Sequence, residues 1–167
     1  MREISIPPLV PFPTEGNLTN IIAERAWLEP QRVLLARPVP DGWQNVTARD
    51  FDAQVRAVAK GLIAAGVQVG DRVCLMARTR YEWTLFDFAI WYAGGIVVPI
   101  YETSSAEQVE WILQDSGAVG IVVENDLHGA IVDQVRHNAP ALQHVWRIDG
   151  GAVRHLTEGG VGIGDVV

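Results

Sequence analysis

Apolar and polar residues alternate along this chain in blocks that predict strands and helices in turn. Short apolar runs rich in valine and isoleucine recur at residues 73–77, 96–100, 119–123 and 145–148. Unbroken runs of this length are typical of strands that are covered on both faces. The segments between them have helical patterns, so we predict consecutive strand–helix units that build a parallel sheet.

Hydroxyl and carboxylate residues mark the helix starts at the spacing of a capping box, in which each side chain binds the backbone of the other residue. Three pairs have this spacing: Thr47 with Asp50, Thr79 with Glu82, and Ser104 with Glu107. We therefore predict a helix start at each of the three hydroxyl residues.

The predicted helices differ in how much of their surface is apolar. The helix over residues 80–92 is apolar on nearly every side, so we expect Trp83, Phe86 and Ile90 to be largely buried. The helices over residues 105–114 and 126–137 each have one apolar stripe that we expect to face the sheet: Val109, Ile112 and Leu113 in the first, and Leu127, Ile131 and Val135 in the second.

Three parts of the chain differ in pattern. Residues 1–45 predict an arm, a helix over about residues 18–28 and a hairpin formed by residues 33–37 and 44–47. The alternating strand and helix patterns of residues 46–149 predict the α/β subdomain. Residues 150–167 are rich in glycine without apolar periodicity, and their glycine spacing does not match a dinucleotide-binding loop, so we expect a linker.

Composition narrows the classes of function. A chain of 167 residues with 49% hydrophobic and 20% charged residues is long enough for one domain with a real core. The net charge of −7 disfavours a nucleic-acid partner, because phosphate binding needs a concentrated basic face. Prolines and glycines interrupt the apolar tracts, so we expect neither an export signal nor a membrane-spanning helix.

Few residues offer chemistry of their own. Cys74 lies inside an apolar run, which predicts a buried, inert thiol. The histidines lack the spacing of a zinc site, and no nucleophile elbow is present. The four histidines are His128, His137, His144 and His155.

Three loops follow the predicted strands at the edge where a doubly wound sheet binds ligands. They contain Arg78, Thr79 and Arg80; residues 101–105; and Glu124, Asn125 and Asp126. The two arginines are candidates to pair either with a phosphate or with acidic neighbours. In the second loop, hydroxyls and helix-start N–H groups suit an anion, but the roles of strand end and helix cap also explain Thr103 and Ser104.

Residues 91–105, WYAGGIVVPIYETSS, resemble the second core motif of the AMP-forming adenylating enzymes, which include acyl-CoA synthetases, luciferases and peptide-synthetase adenylation domains. A glycine pair precedes a valine-rich strand that contains proline, and the Pro-x-Tyr-x-Thr arrangement resembles the long-chain fatty-acid branch. Residues 46–66 resemble the first core motif of the family. Residues 79–83 resemble its Asn-Arg-x-Glu-Trp segment, with Thr79 in place of asparagine.

This resemblance implies a Rossmann-like, doubly wound α/β subdomain from the N-terminal domain of a long-chain fatty-acid CoA ligase. Such a ligase joins a fatty acid to ATP as acyl-AMP, releases pyrophosphate and passes the acyl group to the CoA thiol, with Mg²⁺ as cofactor. It implies a cytoplasmic enzyme, with any membrane association peripheral and on the inner face. A fatty acyl-AMP ligase or another adenylating enzyme stays open as an alternative, because only downstream sequence separates them.

A stand-alone flavodoxin-like binding or receiver module is the alternative from another class. A receiver needs aspartate and lysine at its strand ends, whereas this chain places Arg78, Tyr101 and Glu124 there. The only lysine, Lys60, lies within a predicted helix. The strand ends therefore favour the adenylating enzyme over the receiver.

The residues with which the family performs its chemistry are missing from the sequence. It lacks the phosphate loop that ends in Pro-Lys-Gly, and the resemblance identifies no adenine site, ribose aspartate or catalytic lysine. We therefore expect an N-terminal piece of a longer enzyme with no catalytic, cofactor-binding or metal-binding residue of its own. We expect the piece to bind neither ATP, Mg²⁺ nor CoA, and to self-associate through apolar surface that the rest of the enzyme would cover.

Overall fold

The computed structural model describes residues 16–158 as a hairpin and a four-stranded sheet with helices around them. The helices are α1 Leu18–Leu28, α2 Ala48–Ala64, α3 Tyr81–Tyr92, α4 Ala106–Ser116, α5 Asp126–Val135 and α6 Ala152–Glu158. The strands are β1 Val33–Val39, β2 Gly42–Thr47, β3 Arg72–Met76, β4 Ile96–Ile100, β5 Gly120–Val123 and β6 His144–Arg147.

The four strands of the main sheet are all parallel and lie in the order β4-β3-β5-β6. The predicted parallel α/β sheet is therefore confirmed, with strand bounds that differ by at most one residue from those predicted. The order reverses between β3 and β5, because the chain moves from β3 to β4 on one side and then returns past β3. Such a reversal is the switch point of a doubly wound sheet.

Two hydrophobic cores cover the two faces of this sheet. Leu75 points into the core formed with α2, α3 and α6, where it joins Phe86. Cys74, the preceding residue, points into the core formed with α4 and α5, where it joins Leu113. Successive strand residues face opposite sides, and this is why β3 is buried throughout except at its first residue.

The N-terminal helix and hairpin also form as predicted. β1 and β2 pair antiparallel, and Val46 of β2 is buried against the core beneath α2. Thr47 ends the hairpin and starts α2, where its hydroxyl oxygen accepts from the backbone N–H of Asp50 at 3.2 Å. This confirms the helix start predicted at Thr47.

The other two predicted capping pairs are wrong. At α3 the N-cap residue is Arg80 and no side chain caps the helix, since the Glu82 carboxylate binds the Nε of Arg80 at 2.6 Å instead. At α4 the capping box consists of Ser105 and Gln108, one position later than predicted. The sequence around α4 repeats the required spacing in two adjacent registers, and the structure uses the second.

Burial along the helices departs from the prediction at two large side chains. Phe86 and Ile90 are fully buried, but Trp83 is only half-buried at the margin of the core. Leu127 is 79% exposed, whereas Val135 is buried as predicted and Val132 is buried beside it. α5 begins shortly after β5 ends, so its first turn lies at the edge of the sheet rather than over it.

The glycine-rich C-terminal segment is partly helical where no helix was predicted. Ala152 and Leu156 of α6 are buried against α2, a pair too short to show as periodicity in the sequence. α6 approaches α2 closely at Gly61, where a Cβ atom would lie 2.2 Å from the carbonyl oxygen of Leu156. The remainder of the expected linker, residues 159–167, lies outside the described residues, as does the arm at residues 1–15.

Candidate functional site

The loops after β3 and β5 meet at the switch point of the sheet. In doubly wound sheets this crevice, at the carboxyl ends of the strands, is the usual ligand site. Arg78 lies two residues beyond β3, and Glu124 directly follows β5. The loop that contains Arg78 and the loop that contains Glu124 therefore lie together at this edge, as the sequence predicted.

Glu124 and Arg78 bridge the crevice with a cluster of hydrogen bonds. The Glu124 carboxylate accepts from the backbone N–H of Arg78 at 2.9 Å and from its guanidinium Nε and Nη2 at 2.9 and 2.6 Å. Glu124 is fully buried, whereas the Arg78 side chain is 71% exposed. The hydrogen bonds from Arg78 outweigh burial and hold the pKa of Glu124 below its ordinary value.

Arg80 is also paired with carboxylates. Its Nε binds Glu82 at 2.6 Å, and its Nη1 binds Asp149 at 2.9 Å and lies 3.6 Å from the nearer oxygen of Glu124. Three carboxylates therefore neutralise the two arginines. Of the two roles that the sequence left open, pairing with acidic neighbours is the one that the structure shows.

An open groove of about 820 Å³ lies beside these arginines, between the β1–β2 hairpin and the start of α3. The Arg37 guanidinium stacks 5.4 Å from the ring centre of Tyr81, whose hydroxyl donates to Gln54 at 3.0 Å. Burial raises the pKa of Tyr81 to about 12, so this phenol stays protonated near neutral pH. Trp43, at the rim, is 73% exposed. The groove thus offers stacking and hydrogen-bonding surface beside the charged residues of the switch point.

The other candidate loops serve the helices that follow them. Ser105 caps α4, and the N–H of Ser104 donates to the carbonyl of Tyr101 at 3.0 Å within the turn. Asn125 caps α5 by accepting from the N–H of His128 at 3.1 Å. The ring nitrogen Nε2 of His128 lies 3.1 Å from the carbonyl of Glu102, which links the two loops. These contacts account for the loops as structural elements.

Lys60 and Cys74 lie away from the switch point. Lys60 is exposed in the middle of α2, and Cys74 is fully buried within β3. Burial raises the pKa of the Cys74 thiol to about 12, so it has no thiolate character near neutral pH. Among residues 16–158, no three histidine, cysteine or acidic side chains cluster as a metal site would require.

Sequence reasoning identified Arg78 and Glu124 separately but missed the bond between them. They are 46 residues apart in the chain, and only the adjacency of β3 and β5 makes them neighbours. The available signal was that each follows an apolar strand, since the carboxyl ends of parallel strands share one edge of a sheet. The contribution of Asp149, which follows β6, was missed for the same reason.

Comparison with known proteins gives consistent similarities. A family model described as AMP-binding enzyme matches residues 22–160. The long-chain-fatty-acid–CoA ligase FadD15 of Mycobacterium tuberculosis is 43% identical over 166 residues, which cover 98% of this chain and 28% of that ligase. The chain thus spans just over a quarter of the length of this curated relative.

Solved structures show the same fold. The anthranilate CoA ligase AuaEII, crystallised with anthranoyl-AMP, matches with a TM-score of 0.73 and 26% identity over 86% of this chain and 28% of that one. The N-terminal domain of FACL13 from Mycobacterium tuberculosis matches with a TM-score of 0.72 and 23% identity, covering 84% of this chain and 36% of that domain. The α/β architecture described above is therefore shared with N-terminal regions of CoA ligases.

Proposed function

Because the chain belongs to the family of AMP-binding enzymes, we propose that it forms part of the N-terminal domain of a long-chain fatty-acid CoA ligase. The identity of 43% to such a ligase over 98% of the chain supports the choice of this branch. The complete enzyme would convert a fatty acid and ATP to acyl-AMP and pyrophosphate, and would then transfer the acyl group to CoA. We place this enzyme in the cytoplasm, with any membrane contact peripheral.

The charges at the switch point argue against a site for the phosphates of ATP or CoA there. A phosphate site needs unpaired cationic groups or a glycine loop of converging N–H groups. Here Arg78 and Arg80 are neutralised by carboxylates, and Lys60 lies on an exposed helical surface. We therefore assign the phosphate chemistry, and its charge stabilisation, to parts of the ligase outside this chain.

The bond between Arg78 and Glu124 is the observation that carries a scaffold role. It bridges the switch-point crevice with the chain's own charges, and ties the loop before α3 to the loop before α5. A scaffold benefits from this arrangement, because both helices then keep fixed positions on their opposite faces of the sheet. The remainder of the ligase would bind against this surface.

A chimera tests the proposal directly. Replacing the matched segment of FadD15 with this chain should give an enzyme that releases pyrophosphate with palmitate and ATP, and that forms palmitoyl-CoA when CoA is added. A chimera that unfolds cooperatively but has neither activity would contradict the proposal. In the native enzyme that contains this segment, acyl-AMP formation without acyl-CoA would instead identify a fatty acyl-AMP ligase.

A further inference from the structure

β4 forms one edge of the described sheet, with β3 on its inner side. The N–H of Ile96 donates to the carbonyl of Asp71, just before β3, at 2.7 Å. Backbone groups of successive strand residues point to alternate sides, so every second residue after Ile96 also faces β3. The backbone groups of Val97, Pro99 and Tyr101 therefore face outwards, and no strand among residues 16–158 pairs with them.

This outer edge offers a defined set of hydrogen-bonding groups. The carbonyl of Tyr101 already accepts from Ser104, and Pro99 has no N–H. Within residues 16–158, the N–H groups of Val97 and Tyr101 and the carbonyls of Val97 and Pro99 remain for an added strand. An edge with both donors and acceptors is a template on which another strand can pair.

An apolar groove lies beside the same edge. It has a volume of about 470 Å³ and is bounded by the end of β4, the loop after it and α4. Trp111 of α4 lines the groove and is 64% exposed, and Tyr101 at its mouth is 82% exposed. Large aromatic side chains of this kind dominate the binding energy of many protein interfaces.

We propose that an extended segment of the ligase polypeptide, from outside these 167 residues, adds to β4 as a further strand. An apolar side chain of this segment fills the groove beside Trp111. The inference rests on the proposed function, which supplies the partner, because this chain spans only 28% of the ligase that it matches. The groove and the free backbone groups lie together, so one segment satisfies both.

A second copy of this chain fits the edge less well. A symmetric pair of β4 strands would bring two copies of Pro99 to the shared edge and would lose two N–H donors. A strand of different sequence loses only one. Proline at an edge strand is a recognised means of preventing such self-pairing. The proposed occupant is therefore a different segment rather than a second copy paired through β4.

Co-expression tests the inference with the part of FadD15 outside its matched segment as the partner. We expect a stable one-to-one complex in which the amide hydrogens of Val97 and Tyr101 exchange more slowly than in the chain alone. Trp111→Lys should weaken the complex at least about tenfold, as loss of an interface anchor does. The control is Trp27→Lys on α1, which is 83% exposed and belongs to the helices on the other face of the sheet, and it should leave the affinity unchanged.

The inference is overturned if no complex forms, if the two amides exchange at the same rate in the complex, or if Trp111→Lys binds as tightly as the control. A dimer of the chain alone that Trp111→Lys dissociates overturns it as well. Pyrophosphate release by the co-expressed pair reports separately on the proposed function. Activity without protection of the two amides supports the proposed function and overturns the added strand. Protection of the amides without activity supports the added strand and contradicts the proposed function.

Discussion

Glu124 and Arg78 are unequal partners, because one is fully buried and the other is mostly exposed. Arg78→Ala leaves a buried carboxylate without the guanidinium that binds it, and we expect it to lower the free energy of unfolding by more than removal of the carboxylate does. Glu124→Gln leaves an arginine that water can solvate, so we expect a smaller loss of about 1–3 kcal/mol. Urea unfolding of both variants measures this difference. Equal losses would show that the pair behaves as an exposed one.

The same carboxylate predicts how stability depends on pH. The pKa of Glu124 is lower in the folded chain than its ordinary value of 4.5, so the folded state favours the ionised form. This contribution to the free energy of unfolding is present in full above pH 4.5 and is lost as pH falls through the folded pKa. Denaturation midpoints of the wild type and Glu124→Gln should therefore converge with acid. A constant difference from pH 7 down to the acid transition would contradict this.

At the residue scale, sequence predicted candidate groups better than it predicted their partners. Arg78 and Glu124 were identified because each follows a strand, which is a local property of the chain. Their pairing depends on β3 and β5 being neighbours, and no local pattern encodes that adjacency. Trp83 shows the same limit, since its exposure depends on where the core ends rather than on its apolar character.

The packing of α3 predicts different costs for two of its aromatic side chains. Phe86 is fully buried between α3 and the sheet, so Phe86→Ala should cost about 3–5 kcal/mol of unfolding free energy. Trp83 is only half-buried, so Trp83→Ala should cost clearly less despite the larger side chain. Chemical denaturation of the two variants provides the comparison. A loss at Trp83 as large as at Phe86 would mean that α3 is covered more fully than described.

The close contact between α2 and α6 is possible because residue 61 is glycine and has no side chain. Gly61→Ala would place a Cβ atom 2.2 Å from the backbone of Leu156, so α6 must shift. We expect this strain to outweigh the gain of about 1 kcal/mol in helix propensity, and protease to cleave within residues 152–158 more readily. Ile63→Ala, on an exposed position of the same helix outside the groove against α6, is the control and should leave cleavage unchanged. Unchanged cleavage of Gly61→Ala would contradict the close contact.

At the scale of elements, the sequence predicted the helices and strands of residues 16–149 because their apolar patterns are long enough to show periodicity. Capping was less certain, since Ser104 and Ser105 both have a side chain of the right kind three positions later. α6 was missed because two buried residues do not make a period. Short elements whose burial depends on a distant contact are therefore the ones that sequence patterns leave undetermined.

At the scale of the whole molecule, alternating strand and helix patterns predicted a parallel sheet, and the structure confirms it. Strand order was not predicted, although it decides where the switch point lies and which charges meet there. The resemblance at residues 91–105 identified the family, because the motif combines a glycine pair, a proline-containing strand and a polar turn. It did not show which charges would bridge the crevice, since those residues lie outside the motif.

The isolated chain should neither form acyl-AMP nor bind ATP tightly. Its exposed lysine lies on a helix, and its arginines at the switch point are held by carboxylates, so neither is placed to hold the phosphates. Pyrophosphate-release assays with palmitate and ATP, together with calorimetric titration with ATP, measure both properties, and complete FadD15 is the positive control. Turnover by the isolated chain, or a dissociation constant in the low micromolar range, would require a phosphate site within these 167 residues.

Glu124→Gln then separates two sources of any binding that is seen. If ATP binds only after this substitution frees Arg78, then the ion pair between Arg78 and Glu124 is what excludes ATP from the native chain.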